Sequence, residues 1–182
     1  MKNFYRAIFC LSICFSIKAN SQVLITLWED GGNVVAALSG SFSNINGLIS
    51  TGTRGNSIVG GMRPNNPDIF INPVTATNSQ IYFGYNLTGT LGSGTAFTAA
   101  NSATGGDSYI GIQAGSLLLP VGETSGTFNS TATWNTHTFA SLGLTDGNSL
   151  SITWDEGRES LTVNVGTVAV PEPSTYAAIT SL

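Results

Sequence analysis

The chain has 182 residues, six Lys and Arg against ten Asp and Glu, one His and two Cys, which is enough for one hydrophobic core and short for two. From residue 22 onward the only cations are Arg54, Arg63 and Arg158, facing all ten acids for a formal charge of −7, so no basic footprint for nucleic acid or anionic lipid is present. Gly, Ser, Thr and Asn make up 81 of the 182 residues, and the expected surface is uncharged and rich in hydroxyls and amides.

The N-terminus opens with Lys2 and Arg6, continues through the apolar block Ala7 to Ile17 and reaches small residues at Ala19 and Ser21. That succession predicts a secretory signal peptide over residues 1–21, passed through a translocon and cut by signal peptidase between Ser21 and Gln22. The apolar block is eleven residues long, against the roughly 20 of a membrane-spanning helix, so membrane contact is expected to be transient. Cys10 and Cys14 both lie in the removed segment, leaving a mature chain without disulfide or thiolate chemistry. A lipoprotein-type cut before Cys14 fits poorly, because Ile13 is bulky and Cys14 sits in the middle of the apolar block.

Beyond the leader, a first strand is expected over Val23–Trp28, followed by the turn formers Glu29-Asp30-Gly31-Gly32-Asn33. Alternation resumes at Val34, Ala36, Leu38, Gly40 and Phe42. Three prolines between residues 63 and 77 predict a loop with at most an edge strand at Ile69–Ile71. Ile81, Phe83, Tyr85 and Leu87 alternate as one further strand, Ser108–Ile112 is another, and Phe128, Ser130, Ala132 and Trp134 mark the next. A single helical turn is expected around Phe139–Leu142. Ser149–Trp154 and Ser160–Val165 alternate cleanly on either side of Asp155-Glu156-Gly157-Arg158-Glu159, which predicts a hairpin. Many short strands with one apolar face and no crossover helices predict an all-β fold, an antiparallel β-sandwich of jelly-roll-like or immunoglobulin-like type. Residues 22–166 form that domain and residues 167–182 a tail.

Catalytic equipment is sparse. His137 is the sole histidine, no Gly-x-Ser-x-Gly elbow occurs, and one histidine without cysteine does not make a zinc site of the usual composition. Two acidic pairs, Glu29-Asp30 and Asp155-Glu156, each follow a tryptophan, the company that a sugar cleft would use. Their plainer reading is as starts of turns, with Trp28 and Trp154 as the last inward residue of each strand. Asp30, Asn33, Asp107, Asp146 and Asn148 offer oxygen ligands of the kind that calcium takes, without EF-hand spacing. The expectation is a non-enzymatic protein without metal or cofactor.

The tail reads Val170-Pro171-Glu172-Pro173-Ser174-Thr175. Pro-Glu-Pro fixes two φ angles and disfavours helix before each proline, so it presents an extended peptide with one central carboxylate. In this setting, after a leader and a Gly/Ser/Thr-rich body, the tail resembles the PEP-CTERM sorting signal of exported proteins of exopolysaccharide-making Gram-negative bacteria. The resemblance implies recognition of Pro171, Glu172 and Pro173 by an exosortase, a membrane-embedded cysteine peptidase or transpeptidase. The family pattern goes on to a membrane helix and an arginine cluster, whereas this sequence ends at Leu182; either it is a fragment or the signal has decayed and the product is released. The resulting expectation is an exported, extracellular or cell-surface protein associated with exopolysaccharide or biofilm. A carbohydrate-binding module and a glycosidase are the alternative readings, the first requiring that Trp28, Trp134 or Trp154 face solvent.

Overall fold

The computed structural model describes residues 20–57, 60–72, 76–106, 109–113 and 115–166; the leader up to residue 19 and the tail from 167, with Pro171, Glu172 and Pro173, lie outside them. The fold is an all-β sandwich of two sheets. The first contains β1 (Ser21–Asp30), β2 (Asn33–Phe42), β7 (Asn86–Gly89), β9 (Ser102–Thr104), β12 (Gly126–Trp134), β13 (Ser149–Trp154) and β14 (Glu159–Val165), in the order β7-β13-β14-β1-β2-β12-β9. The second contains β3 (Ile49–Ser57), β4 (Gly61–Arg63), β5 (Asp68–Phe70), β6 (Ala76–Phe83), β8 (Thr98–Ala99), β10 (Gly111–Gln113) and β11 (Ser116–Pro120), in the order β3-β6-β11-β10-β5-β4-β8.

The first sheet follows from its alternation. Val23, Ile25 and Leu27 on β1, Val34, Ala36 and Leu38 on β2, and Leu161, Val163 and Val165 on β14 all point inward and are almost completely buried. They meet Ile69, Ile71, Ile112, Leu117 and Leu119 of the second sheet in one continuous core. Gly31 and Gly32, both at positive φ, close the β1–β2 hairpin with the two-residue loop that matches strand twist. Gly40 interrupts the apolar face for a steric reason: its φ is +97°, and a Cβ there would lie 2.1 Å from the Gln22 carbonyl oxygen. All named pairs are antiparallel except β1 with β14, which runs parallel from Ser21↔Glu159 to Leu27↔Val165. Because of that pairing, the chain enters β1 and leaves β14 at opposite ends of the sheet, about 20 Å apart over six residues of rise.

Three local expectations change. Ile69 does not lie on an edge strand: β5 is paired on both sides, with β4 and with β10, and all three of its residues are buried. Pro64 and Pro67 fall in the turn that precedes it, where a missing N–H costs nothing. The run Ile81 to Leu87 is not one strand either, for β6 ends at Phe83 and β7 belongs to the other sheet. Gly84, at φ +89° and with the Gly47 carbonyl 2.7 Å from where its Cβ would be, makes that crossing. Third, Glu159 is not part of the exposed hairpin turn; it begins β14 and is 1 % exposed.

The helical turn at Phe139–Leu142 forms as α1, with Thr138 and Ser141 making a reciprocal capping box and Gly143 a left-handed C-cap. A smaller apolar group of Phe70, Tyr109 and Leu118, joined by Ile81, packs apart from the main core, and there the Tyr109 and Ser79 hydroxyls hydrogen-bond at 2.6 Å.

Burial raises the phenol pKa of both Tyr82 and Tyr85, and Tyr85 donates its hydroxyl proton to the Gly115 carbonyl. The folded state therefore holds these protons more tightly than the unfolded chain, whose tyrosines ionise near pH 10. Their stabilising contribution is fully present below that pH and is lost as pH rises toward the folded values. Urea midpoints are expected to stay flat between about pH 7 and 9 and to fall above about pH 10. Tyr82→Phe should make that fall shallower.

Candidate functional site

The three tryptophans separate by parity along their strands. Trp134 is fully buried and donates its indole N–H to the Thr98 carbonyl at 3.0 Å. Trp154 is 2 % exposed, donates to the Asn44 carbonyl at 2.9 Å and meets Phe42 edge-on. Trp28 corrects the expectation of an inward residue. On β1 the inward set is Val23, Ile25 and Leu27, so Trp28 points away from the core on the outward side of the first sheet, half-buried among its neighbours. Its indole N–H has no hydrogen-bond partner among the described residues.

The face that carries Trp28 can be read row by row from the strand register. One row runs Thr88, Ser151, Thr162, Leu24, Ser39 and Asn129 across six strands. Four residues toward the hairpin tip, Trp28 lies beside Val35, then Thr133 and Ser102. Ser39, Asn129 and Thr131 are exposed. Between the levels of Gln22 and Trp28, the outward positions of these seven strands carry no charged side chain; the nearest acid of that parity is Asp30, at the hairpin tip. With strands about 4.8 Å apart, the face is about 30 Å across. A few of its hydroxyls satisfy one another, as Thr104 and Thr131 do at 2.7 Å. Those of Thr26, Ser39 and Thr133 make no side-chain hydrogen bond among the described residues.

The acidic pairs do not come together. Glu29 lies near the tip of β1, whereas Asp155 follows Trp154, which is level with Glu159 and hence with the start of β1. Eight residues of strand rise put them roughly 25 Å apart, against the 5–10 Å that a pair of glycosidic carboxyls spans. Each also has a structural duty: Glu29 accepts the Phe139 N–H at the start of α1, and Asp155 is held by Arg158. The Asp155 hydrogen bond, aided by the charges of Asp155 and Glu156, raises the Arg158 pKa despite the opposing effect of desolvation. Asp155 and Glu156 both sit at positive φ, which shapes the tight turn.

His137 Nδ1 lies 3.1 Å from Ser141 Oγ, and that hydroxyl also donates to the Thr138 carbonyl and accepts from the Thr138 N–H, so the contact belongs to the helix cap. Among the described residues, no three His, Cys, Asp or Glu side chains gather closely enough to hold a metal ion. Asn33 Oδ1 accepts the Thr136 N–H at 3.0 Å, Asp107 lies outside the described residues, and Asp146 with Asn148 borders a shallow open groove of about 430 Å³ beside Gly166.

At the opposite end, Ser21 and Gln22 open β1. Ser21 donates its N–H to the Arg158 carbonyl at 3.0 Å and its hydroxyl to Ser43 Oγ at 3.2 Å. The bond expected to be cut therefore lies at the first rung of the sheet, where an extended chain is required in any case. No helix among the described residues is long and apolar enough to cross a membrane. No family model, curated protein or solved structure matches the chain.

Proposed function

We propose that this chain is an exported, non-enzymatic surface or matrix protein of a Gram-negative bacterium, sorted through its PEP-CTERM-like tail and associated with exopolysaccharide. The observation that carries the reading is the motif Val170–Thr175 standing just after the last strand of a β-sandwich. β1 and β14 pair in parallel, so the described chain begins and ends at opposite ends of the first sheet. The test is fractionation of a native host with and without its exosortase. Loss of the enzyme is expected to change the apparent size and the location of the protein, and Glu172→Ala should reproduce that change. Unchanged size and location would overturn the sorting assignment.

A second reading, a carbohydrate-binding module, is favoured by the outward Trp28. The glycosidase alternative gains no support from carboxyls roughly 25 Å apart.

A further inference from the structure

We infer that the outward face of the first sheet, with Trp28 toward its hairpin-tip end, binds uncharged polysaccharide and discriminates against polyanionic chains. The inference rests on the carbohydrate-binding reading and adds to it the site and the chemical class of the ligand. Three observations carry it. Trp28 is the one tryptophan that points away from the core, and its N–H is free to donate. A pyranose ring offers a face of C–H groups to an indole and hydroxyls to donors and acceptors, so an outward indole beside Val35, in a row that continues through Thr133 and Ser102 two and three strands away, meets both needs along an extended chain. The third is electrostatic: no cation lies on the face, and the chain from residue 22 carries a formal charge of −7. A uronic-acid or sulfated chain would lose its hydration without gaining an ion pair and would be repelled at long range, whereas a neutral chain has no such cost.

The groove beside Gly166 is shallow and open, and nothing in its lining selects a ligand. The exposed pair Ile49 and Phe83, cross-strand neighbours on β3 and β6, has nothing beside it that identifies an occupant. Glu159 is buried but its donors are internal.

The test uses the purified full chain in native gels that contain hydroxyethylcellulose, dextran or alginate, together with tryptophan emission in solution. Retardation is expected in at least one neutral gel and not in alginate, with an emission change on adding the same neutral polymer. Trp28→Ala should weaken retardation about tenfold, the scale of a lost stacking contact with its N–H hydrogen bond. Trp28→Phe should recover part of it. Ser39→Lys, which puts a cation on the exposed centre of the face, should weaken neutral binding while leaving the emission of the buried Trp134 and Trp154 unchanged, and so reports on the face without touching Trp28. Absence of retardation in both neutral gels, stronger retardation in alginate, or equal retardation of Trp28→Ala would each overturn the inference. These results are independent of the exosortase experiment, so failure of the binding face and failure of the sorting assignment are distinguishable.

Discussion

Trp134→Ala is expected to lower the unfolding free energy by about 3–5 kcal/mol, the usual cost of deleting a buried indole, while Trp28→Ala should cost no more than about 1 kcal/mol. The two residues belong to the same class and lie on strands of the same sheet, so the contrast isolates the direction in which each points. Trp134 has no exposed surface, and its N–H reaches the carbonyl of Thr98 on β8, a strand of the opposite sheet. Truncation would open a cavity and leave that carbonyl without its donor at the side of the sandwich where Ala100 and Asn101 carry the chain from one sheet to the other. Trp28 makes no such link, and its removal uncovers its cross-strand neighbour Val35 without emptying the core. Urea titration followed by far-ultraviolet circular dichroism measures both. Equal losses in the two variants would mean that Trp28 is a core residue after all.

The parity that places Trp28 outside was present in the sequence. Val23, Ile25 and Leu27 define one side of β1, and the next residue must fall on the other. A large aromatic beside a turn suggests burial, and at Trp28 that suggestion and the strand parity point in opposite directions. For Trp154 the same suggestion agrees with the alternation of Leu150 and Ile152, so nothing conflicted. The strands of the first sheet were legible because one face is apolar and the other is Thr, Ser and Asn, which is the pattern of a sheet with a single solvated side.

The second sheet was much harder to read, for two opposite reasons. β11 carries Leu117, Leu118 and Leu119 in succession, buried on both faces because Leu118 packs with Phe70 and Tyr109 while its neighbours enter the main core; a strand covered on both sides loses its period of two. β3 has the reverse composition. It is an edge strand of Ser, Thr, Gly, Arg and Asn after Ile49, with a register shift between Ser50 and Gly52, so no apolar alternation exists to be found. Lateral order was not legible at all. That β14 rather than a nearby strand lies beside β1 depends on contacts between residues more than 130 positions apart, and it is this order that gathers the uncharged rows into one face around Trp28. The candidate site was thus present in the sequence as residue types and absent as an arrangement.

Glu159→Leu is expected to destabilise the domain by about 1–3 kcal/mol, because the change takes from the part-buried donors of Ser43 and Asn44 the acceptor that the buried carboxylate supplies. The Glu159 carboxylate accepts from the Ser43 N–H at 3.2 Å, from the Ser43 hydroxyl, and from Asn44 Nδ2 at 2.9 Å. The carbonyl of Asn44 in turn receives the Trp154 N–H, and Ser43 Oγ receives the hydroxyl of Ser21. One side chain at the start of β14 thereby fixes the chain leaving β2 and the first residue of β1. A leucine fills the volume but satisfies none of these groups. Ser43→Ala removes one donor together with its own hydroxyl and should cost about 1 kcal/mol. In the double variant the losses should fall short of additive, since the serine hydroxyl orphaned by the leucine is no longer there. Urea denaturation of the two single variants and the double variant gives the coupling directly. Additive losses would mean that Glu159 and Ser43 act independently, and a loss below about 1 kcal/mol for Glu159→Leu would mean that water replaces the carboxylate at the half-exposed donors of Ser43 and Asn44.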